Sequence, residues 1–309
     1  MPVKHLVLGG GGSSMGFLTY GILQTACREG MLDIGEVESI YCTSAGSVIG
    51  PLFCLGLDLE IVADWLINKP WQHVFEIDPE CLIDSYESGG LLDGHTVNEL
   101  YDNLLLSADM GKDTTLSQLY EKNGIDLHLF CTALTDGDCG ACDMSHTTHP
   151  DLTLKDAVYR SSSIPMIFRP LTSGNTVYLD GGIWSNFPFD PWRAAHPGAS
   201  LDSVVAICYE LKPETPNEAR SPDLRIPTLL LRLLRNLLAG INRQHEEVNS
   251  LPYLCRMDQH IVKPEDFFRV LEDRDRRRSL VREQGPELAQ RLIELFKSHQ
   301  HSPQSEQTS

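Results

Sequence analysis

The sequence lacks any run of about 18 uninterrupted apolar residues, so no transmembrane helix is expected in its 309 residues. It is short of positive charge, with 25 Lys and Arg against 43 Asp and Glu, a formal net charge of −18. A field of that sign repels nucleic-acid phosphates, so no nucleic-acid partner is expected. The opening Met-Pro-Val-Lys-His-Leu-Val-Leu-Gly has no secretory h-region, because glycines interrupt it after a few apolar residues. The nine cysteines are an odd number scattered through apolar segments, which reads as buried thiols in a reducing setting rather than a disulfide framework. A cytoplasmic location, peripheral at membranes where lipid is met, is the expectation. Cys139-x-x-Cys142, with His146 and His149 nearby, has no second Cys pair at matching spacing, so no metal site is expected. Internal repeats are absent too.

Missing nucleotide motifs narrow the first feature that is present. His5-Leu6-Val7-Leu8 reads as a short buried strand, Gly9 to Gly12 follows directly, and apolar residues recur at helical spacing from Phe17 to Cys27. A glycine loop opening a helix offers backbone N–H groups to an anion. Counted from Gly9 or Gly10, the sixth position is Ser14 or Met15 and not the glycine of a dinucleotide fingerprint. Gly16 is followed by Phe17, so the Gly-Lys-Ser/Thr of a P-loop is absent as well. An oxyanion of a reaction remains, beside the plainer reading of a tight turn where glycine relieves crowding.

The second strand-turn-helix runs from Glu38 through Tyr41-Cys42-Thr43-Ser44-Ala45-Gly46-Ser47 into an apolar helical pattern to Leu57. A serine at such a corner, flanked by small residues and seated on a helix N-terminus, is built like a nucleophile elbow. An ordinary N-cap serine is the competing reading. Further along, residues 59–70 read as helix, Gln72 to Ser88 as an acidic surface loop or lid, and Gly89 to Gly94 as a turn cluster. Thr96 to Leu106 reads as helix, Thr115 as the cap of Leu116–Lys122, Asp126 to Leu134 as a strand, and Thr135 to Asp143 as a hairpin tip. A helix from Leu154 leads into Ser161-Ser-Ser-Ile-Pro165. Thr176 to Leu179 is a strand ending in Asp180-Gly181-Gly182, and Ser203 to Tyr209 is another.

After Glu210 the character changes. Lys212 to Arg225 reads as a linker and Ile226 to Ile241 as a leucine-dense helix, packed on the main domain or lying at a lipid interface. The run Asp273 to Arg278 reads as a solvated helix surface and Pro286 to Lys297 as a last amphipathic helix. The expected division is 1–212 for the main domain, 213–297 for a helical extension packed on it, and 298–309 for a disordered tail.

A triad hydrolase of the α/β type would carry its serine well inside the chain with a histidine after the acid. Here the serine sits on the second strand and no later histidine has a catalytic context, so a Ser44–Asp180 dyad uses fewer parts. Several blocks, in order, resemble the patatin-like phospholipase family. Leu6-Val-Leu-Gly-Gly-Gly-Gly-Ser-Ser-Met-Gly16 is similar to its oxyanion loop and Thr43-Ser-Ala-Gly46 to its elbow. Ser161-Ser-Ser-Ile-Pro165 with Phe168 and Pro170 is similar to its Ser-x-Ile-Pro-x-x-Phe-x-Pro segment, and Tyr178-Leu-Asp-Gly-Gly182 with Asn186 and Pro188 to its Asp-Gly-Gly/Ala motif.

The resemblance implies a three-layer α/β/α sheet with the dyad at the carboxyl ends of its strands, plus a C-terminal helical appendage. It implies a lipid acyl hydrolase of phospholipase A or lysophospholipase type. Ser44 would be nucleophile and Asp180 base, with Gly10, Gly11 and Gly12 as oxyanion donors and Gly46, Gly181 and Gly182 as supports. No cofactor is needed. The implied partners are a lipid or acyl-ester substrate and transient contact with a membrane surface. Ser161 to Ile164 and the loop around Phe187 are the expected channel walls.

Two positions depart from the family pattern. Cys42 stands for the first elbow glycine, where φ > 0 would be costly for a residue with a Cβ. The glycine loop is one residue longer than usual. Counted back from Gly16, Ser13 takes a glycine's place and Met15 that of the common basic residue; counted forward from Leu8, the glycines are Gly10, Gly11 and Gly12. The rival readings are a non-lipid esterase or thioesterase with the same dyad, and a catalytically inactive lipid-binding protein.

Overall fold

A computed structural model describes residues 2–76, 79–211, 246–259 and 264–301. The 212–225 linker, the leucine-dense stretch 226–241 and the tail from 302 onward lie outside the described residues. The strands are β1 (His5–Leu8), β2 (Ser39–Thr43), β3 (Gly90–Leu92), β4 (Asp126–Leu134), β5 (Cys139–Met144), β6 (Met166–Phe168), β7 (Leu171–Ser173), β8 (Thr176–Asp180), β9 (Val204–Leu211) and β10 (Tyr253–Gln259). Among the described residues the main sheet runs β10-β9-β1-β2-β4-β8-β7, with β5 on β4, and β3 pairs β6 separately. The pairs β10–β9, β9–β1, β1–β2 and β2–β4 are parallel, whereas β8, β7 and β5 join antiparallel.

Alternation along the strands fixes the two faces of the sheet. Leu6, Leu8, Ile40, Cys42, Leu129, Cys131, Val205 and Ile207 enter the larger core. The residues between them, Val7, Tyr41, Phe130, Val204 and Ala206, enter a second core with Phe189 and Trp192. Helices therefore cover both faces, giving the α/β/α layering. The helices are α1 (Gly12–Arg28), α2 (Ala45–Cys54), α3 (Leu59–Asn68), α4 (Trp71–Val74), α5 (Pro79–Ser88), α6 (His95–Ser107), α7 (Leu116–Asn123), α8 (Leu154–Ser162), α9 (Phe189–Ala195), α10 (Pro264–Glu272), α11 (Arg274–Ser279) and α12 (Gly285–His301). Thr115 caps α7 through a reciprocal bond pair with Gln118.

Several local readings change. The acidic stretch 72–88 carries two helices, α4 and α5, and the glycine cluster 89–94 contains β3, which exists only because β6 lies beside it. The region 213–297, expected as a helical extension, also supplies β10 to the edge of the sheet. The last helix runs on to His301, four residues past its expected end at Lys297. In the charge run 273–278, Arg277 is buried at 2% exposure and is not solvated.

Candidate active site

β1 and β2 run parallel and end side by side, Leu8 opposite Cys42. The turn after each therefore arrives at the same place. Between β2 and α2 stands Ser44, with φ 53° and ψ −119°, a left-handed conformation that costs a non-glycine residue about 1–3 kcal/mol. The strain lifts its side chain out of both regular elements. Gly46 lets α2 close against β1, since a Cβ there would fall 2.4 Å from Leu8 O.

β8 delivers the second group. Asp180 pairs with Cys131 of β4, and β4 runs on past the end of β2, so the carboxylate comes level with the elbow. Ser44 Oγ donates to Asp180 Oδ2 at 2.7 Å, and Gly182 N–H donates to Asp180 Oδ1 at 2.7 Å. Both side chains are buried, at 5% and 6% exposure. Burial pushes the Asp180 carboxyl up to about 6, and the two hydrogen bonds oppose that rise. Gly181 packs against Phe130 O, and Asp180 N–H donates to Ser163 O.

The glycine loop reaches the elbow at Gly10, where a Cβ would lie 2.7 Å from Ser44 Cβ. Of the three expected oxyanion donors, Gly10 is differently engaged: its N–H donates to Asn186 O at 2.9 Å. Gly11 caps α1, and a Cβ on it would meet Met15 and Tyr209. Gly12 opens α1 with φ +74° and, with Ser13, lines a cavity beside Ser44. That cavity of about 120 Å³ is walled by apolar side chains, among them Ile49, Trp71, Val97, Leu100 and Phe168. Ser162 and Ile164 line it as expected. Phe187 does not: it stacks on Phe189 in the second core. None of the residues lining the cavity is a histidine.

Residues 6–192 match the family model described as patatin-like phospholipase. The chain belongs to that family. It is 25% identical over 188 residues to a probable lipid hydrolase, 463L, of Invertebrate iridescent virus 6, and 27% identical over 215 residues to the uncharacterized protein R571 of Acanthamoeba polyphaga mimivirus. These matches cover 60% and 67% of this chain, and 62% and 65% of the relatives' lengths, just under two thirds. VipD from Legionella pneumophila shares the fold, at a TM-score of 0.50 with 15% identity, over 97% of this chain and 67% of that one.

Within this patatin-like chain the unusual positions have local explanations. Cys42 lies inside β2, and the positive φ falls on Ser44 instead. Met15 packs its side chain over Gly11, and its carbonyl accepts from Tyr209 Oη at 3.0 Å. Ser13 donates to Phe267 O at 2.7 Å.

Two residues have supporting roles that the sequence does not announce, and one of them, Ser161, expected as a channel wall, is not among the residues lining the cavity. Ser161 Oγ donates to Phe130 O at 2.5 Å, accepts from Ser44 N–H at 3.2 Å and lies 2.7 Å from Ser47 Oγ, so it fixes the elbow from below. Asn186 holds Gly10 from both sides: its carbonyl takes the Gly10 N–H, and its Nδ2 donates to Gly10 O at 3.0 Å. Both residues sit inside motif blocks, but their roles need the packed geometry to be seen.

Proposed function

We propose that the protein is a lipid acyl-ester hydrolase working through a covalent acyl-serine. The observation that carries this reading is the 2.7 Å bond from Ser44 Oγ, at a strained corner, to a buried Asp180 carboxylate, opening on an apolar cavity. Ser44 Oγ attacks the ester carbonyl and passes its proton to Asp180 Oδ2. The tetrahedral intermediate collapses, the alcohol leaves with that proton, and water deacylates the serine with Asp180 again as base. A carboxyl raised to about 6 is a better base than an ordinary one and is still ionised near neutral pH.

Charge on the developing oxyanion needs donors that are not already spent. Gly10 is engaged, so the role falls to the first turn of α1, beginning at Gly12, where the helix dipole adds its positive end. One such donor is typically worth about 3–4 kcal/mol. The acyl chain lies in the apolar cavity, which favours lipid esters over small polar ones. Transient contact with a lipid surface follows from that substrate; no described helix is long and apolar enough to cross a membrane.

The test is fluorophosphonate labelling with peptide mapping, alongside product mass spectrometry on phospholipid, lysophospholipid and acylglycerol. Label on Ser44, and loss of both label and products in Ser44→Ala, supports the reading. Label on another residue, or a fully active Ser44→Ala, overturns it. Lipid binding without any acyl-enzyme would favour the inactive binding protein instead.

A further inference from the structure

The residues matching the family model end at 192, yet the cavity beside Ser44 is not closed by them alone. Phe267 and Leu271 of α10 form part of its wall. The Phe267 ring reaches the glycine loop itself: a Cβ on Gly12 would sit 4.0 Å from its Cδ2. It also packs edge-on against Phe75 at 6.2 Å and Phe168 at 6.0 Å, joining walls contributed by the segment after α4 and by β6.

Two polar connections hold α10 in that position. Ser13, in the first turn of α1, donates to Phe267 O at 2.7 Å. Arg277 lies across the ends of α10 and α3, donating to Val270 O and Leu271 O on one side and to Ile67 O and Lys69 O on the other. Leu66 of α3 and Leu271 of α10, each beside one of these carbonyls, face the same cavity. The helix is therefore fixed to the oxyanion turn at one end and to the far wall at the other.

We propose that Phe267, from outside the family-matched segment, is the acyl-chain specificity residue of this enzyme, its ring limiting how far a chain extends from Ser44. The proposal rests on the acyl-hydrolase reading for its substrate, and on the cavity alone for its geometry. A smaller side chain lengthens the channel toward Phe75 and admits longer chains. A larger one shortens it. Ser13 is a positioning residue that couples the chain-bearing helix to the turn that would hold the oxyanion.

The experiment compares full-length wild type, Phe267→Ala and Phe267→Trp by kcat/KM on p-nitrophenyl butyrate, octanoate, laurate and palmitate. Equilibrium binding of cis-parinarate is measured in parallel by energy transfer from tryptophan. We expect the palmitate-to-octanoate ratio to rise in Phe267→Ala and fall in Phe267→Trp, each by roughly tenfold or more. Parinarate affinity should move in the same directions. Unchanged chain-length ratios and parinarate affinities in both variants overturn the proposal; Leu271→Trp replaces either variant that fails to fold. If wild type hydrolyses no ester but parinarate binding still responds to Phe267, the hydrolase reading fails and the assignment of the cavity stands.

Discussion

The Sγ of Cys42 occupies the space that a side chain on Gly50 would need, since a Cβ built on Gly50 falls 2.5 Å from it. The family's small elbow residue has thus been exchanged for a thiol, and the room for it is made one helical layer away in α2. Gly50 → Ala in an exposed helix would stabilise by up to about 1 kcal/mol. Here overpacking should win, with a net loss of about 1–2 kcal/mol in urea denaturation. Cys42→Ala in the same chain should recover most of that loss. Additive effects of the two substitutions would show that the contact carries no coupling.

The tight turns written in consecutive residues were legible in the sequence. The strand-glycine-helix start, the Ser44 corner and the Asp180-Gly181-Gly182 turn each announce themselves locally, because backbone demands at tight turns select small residues. What depends on partners far along the chain was not legible. β3 is three residues with a glycine and becomes a strand only against β6. β10 reads Tyr-Leu-Cys-Arg-Met-Asp-Gln, a short alternation of buried Tyr253, Cys255 and Met257 blurred by Leu254, and is a strand because β9 offers it an edge. Arg277 sits among charges that face solvent, and nothing in the run distinguishes it from its neighbours until the helix is packed. Cys42 escapes the positive φ that would be costly there, because it falls two residues on, at Ser44.

On the proposed mechanism, Asp180 ties activity and stability to pH in opposite senses. Its carboxyl, about 6 when folded against an ordinary 3.8, must be ionised to act as base. The kcat/KM for a soluble ester should therefore climb with pH through about 6 and level off above. For folding, the raised value means that the buried carboxyl favours its protonated form. Its contribution is full below the unfolded value of 3.8 and is lost as pH rises through about 6. At neutral pH that loss is on the order of 2–3 kcal/mol. Asp180→Asn, which carries no charge to bury, should lower kcat by about 10³–10⁴-fold and yet raise the melting temperature at pH 7. A less stable Asp180→Asn would contradict the assignment of a penalised carboxylate.

Asn186 should matter to catalysis without touching substrate. Its two bonds to Gly10 set how the glycine loop meets Ser44. Asn186→Ala removes the Nδ2 bond to Gly10 O and keeps the backbone bond from the Gly10 N–H. Displacement of a loop by even a fraction of an ångström can change rate by up to about a hundredfold. The expected signature is a fall in kcat of roughly tenfold or more with KM and the pH profile unmoved. A change confined to KM would place the residue in substrate binding instead.

Arg277 offers the clearest stability test outside the site. Its guanidinium is buried and bonded to backbone carbonyls alone among the hydrogen bonds described for it, and burial lowers its affinity for the proton without removing the charge. Four carbonyls, of Ile67, Lys69, Val270 and Leu271, lie at helix ends and have this one side chain as a shared donor. Arg277→Leu would keep much of the packing and remove this donor from Ile67 O, Val270 O and Leu271 O, while Lys69 O keeps the Trp71 N–H, which should cost on the order of 3–5 kcal/mol. Arg277→Lys keeps the charge but loses the fork, so it should fall between wild type and leucine in chemical denaturation. Because the same residue holds α10 beside the cavity, the lysine variant should also broaden the chain-length profile. A lysine variant as stable as wild type would mean that charge, and not the shape of the fork, secures the two helix ends.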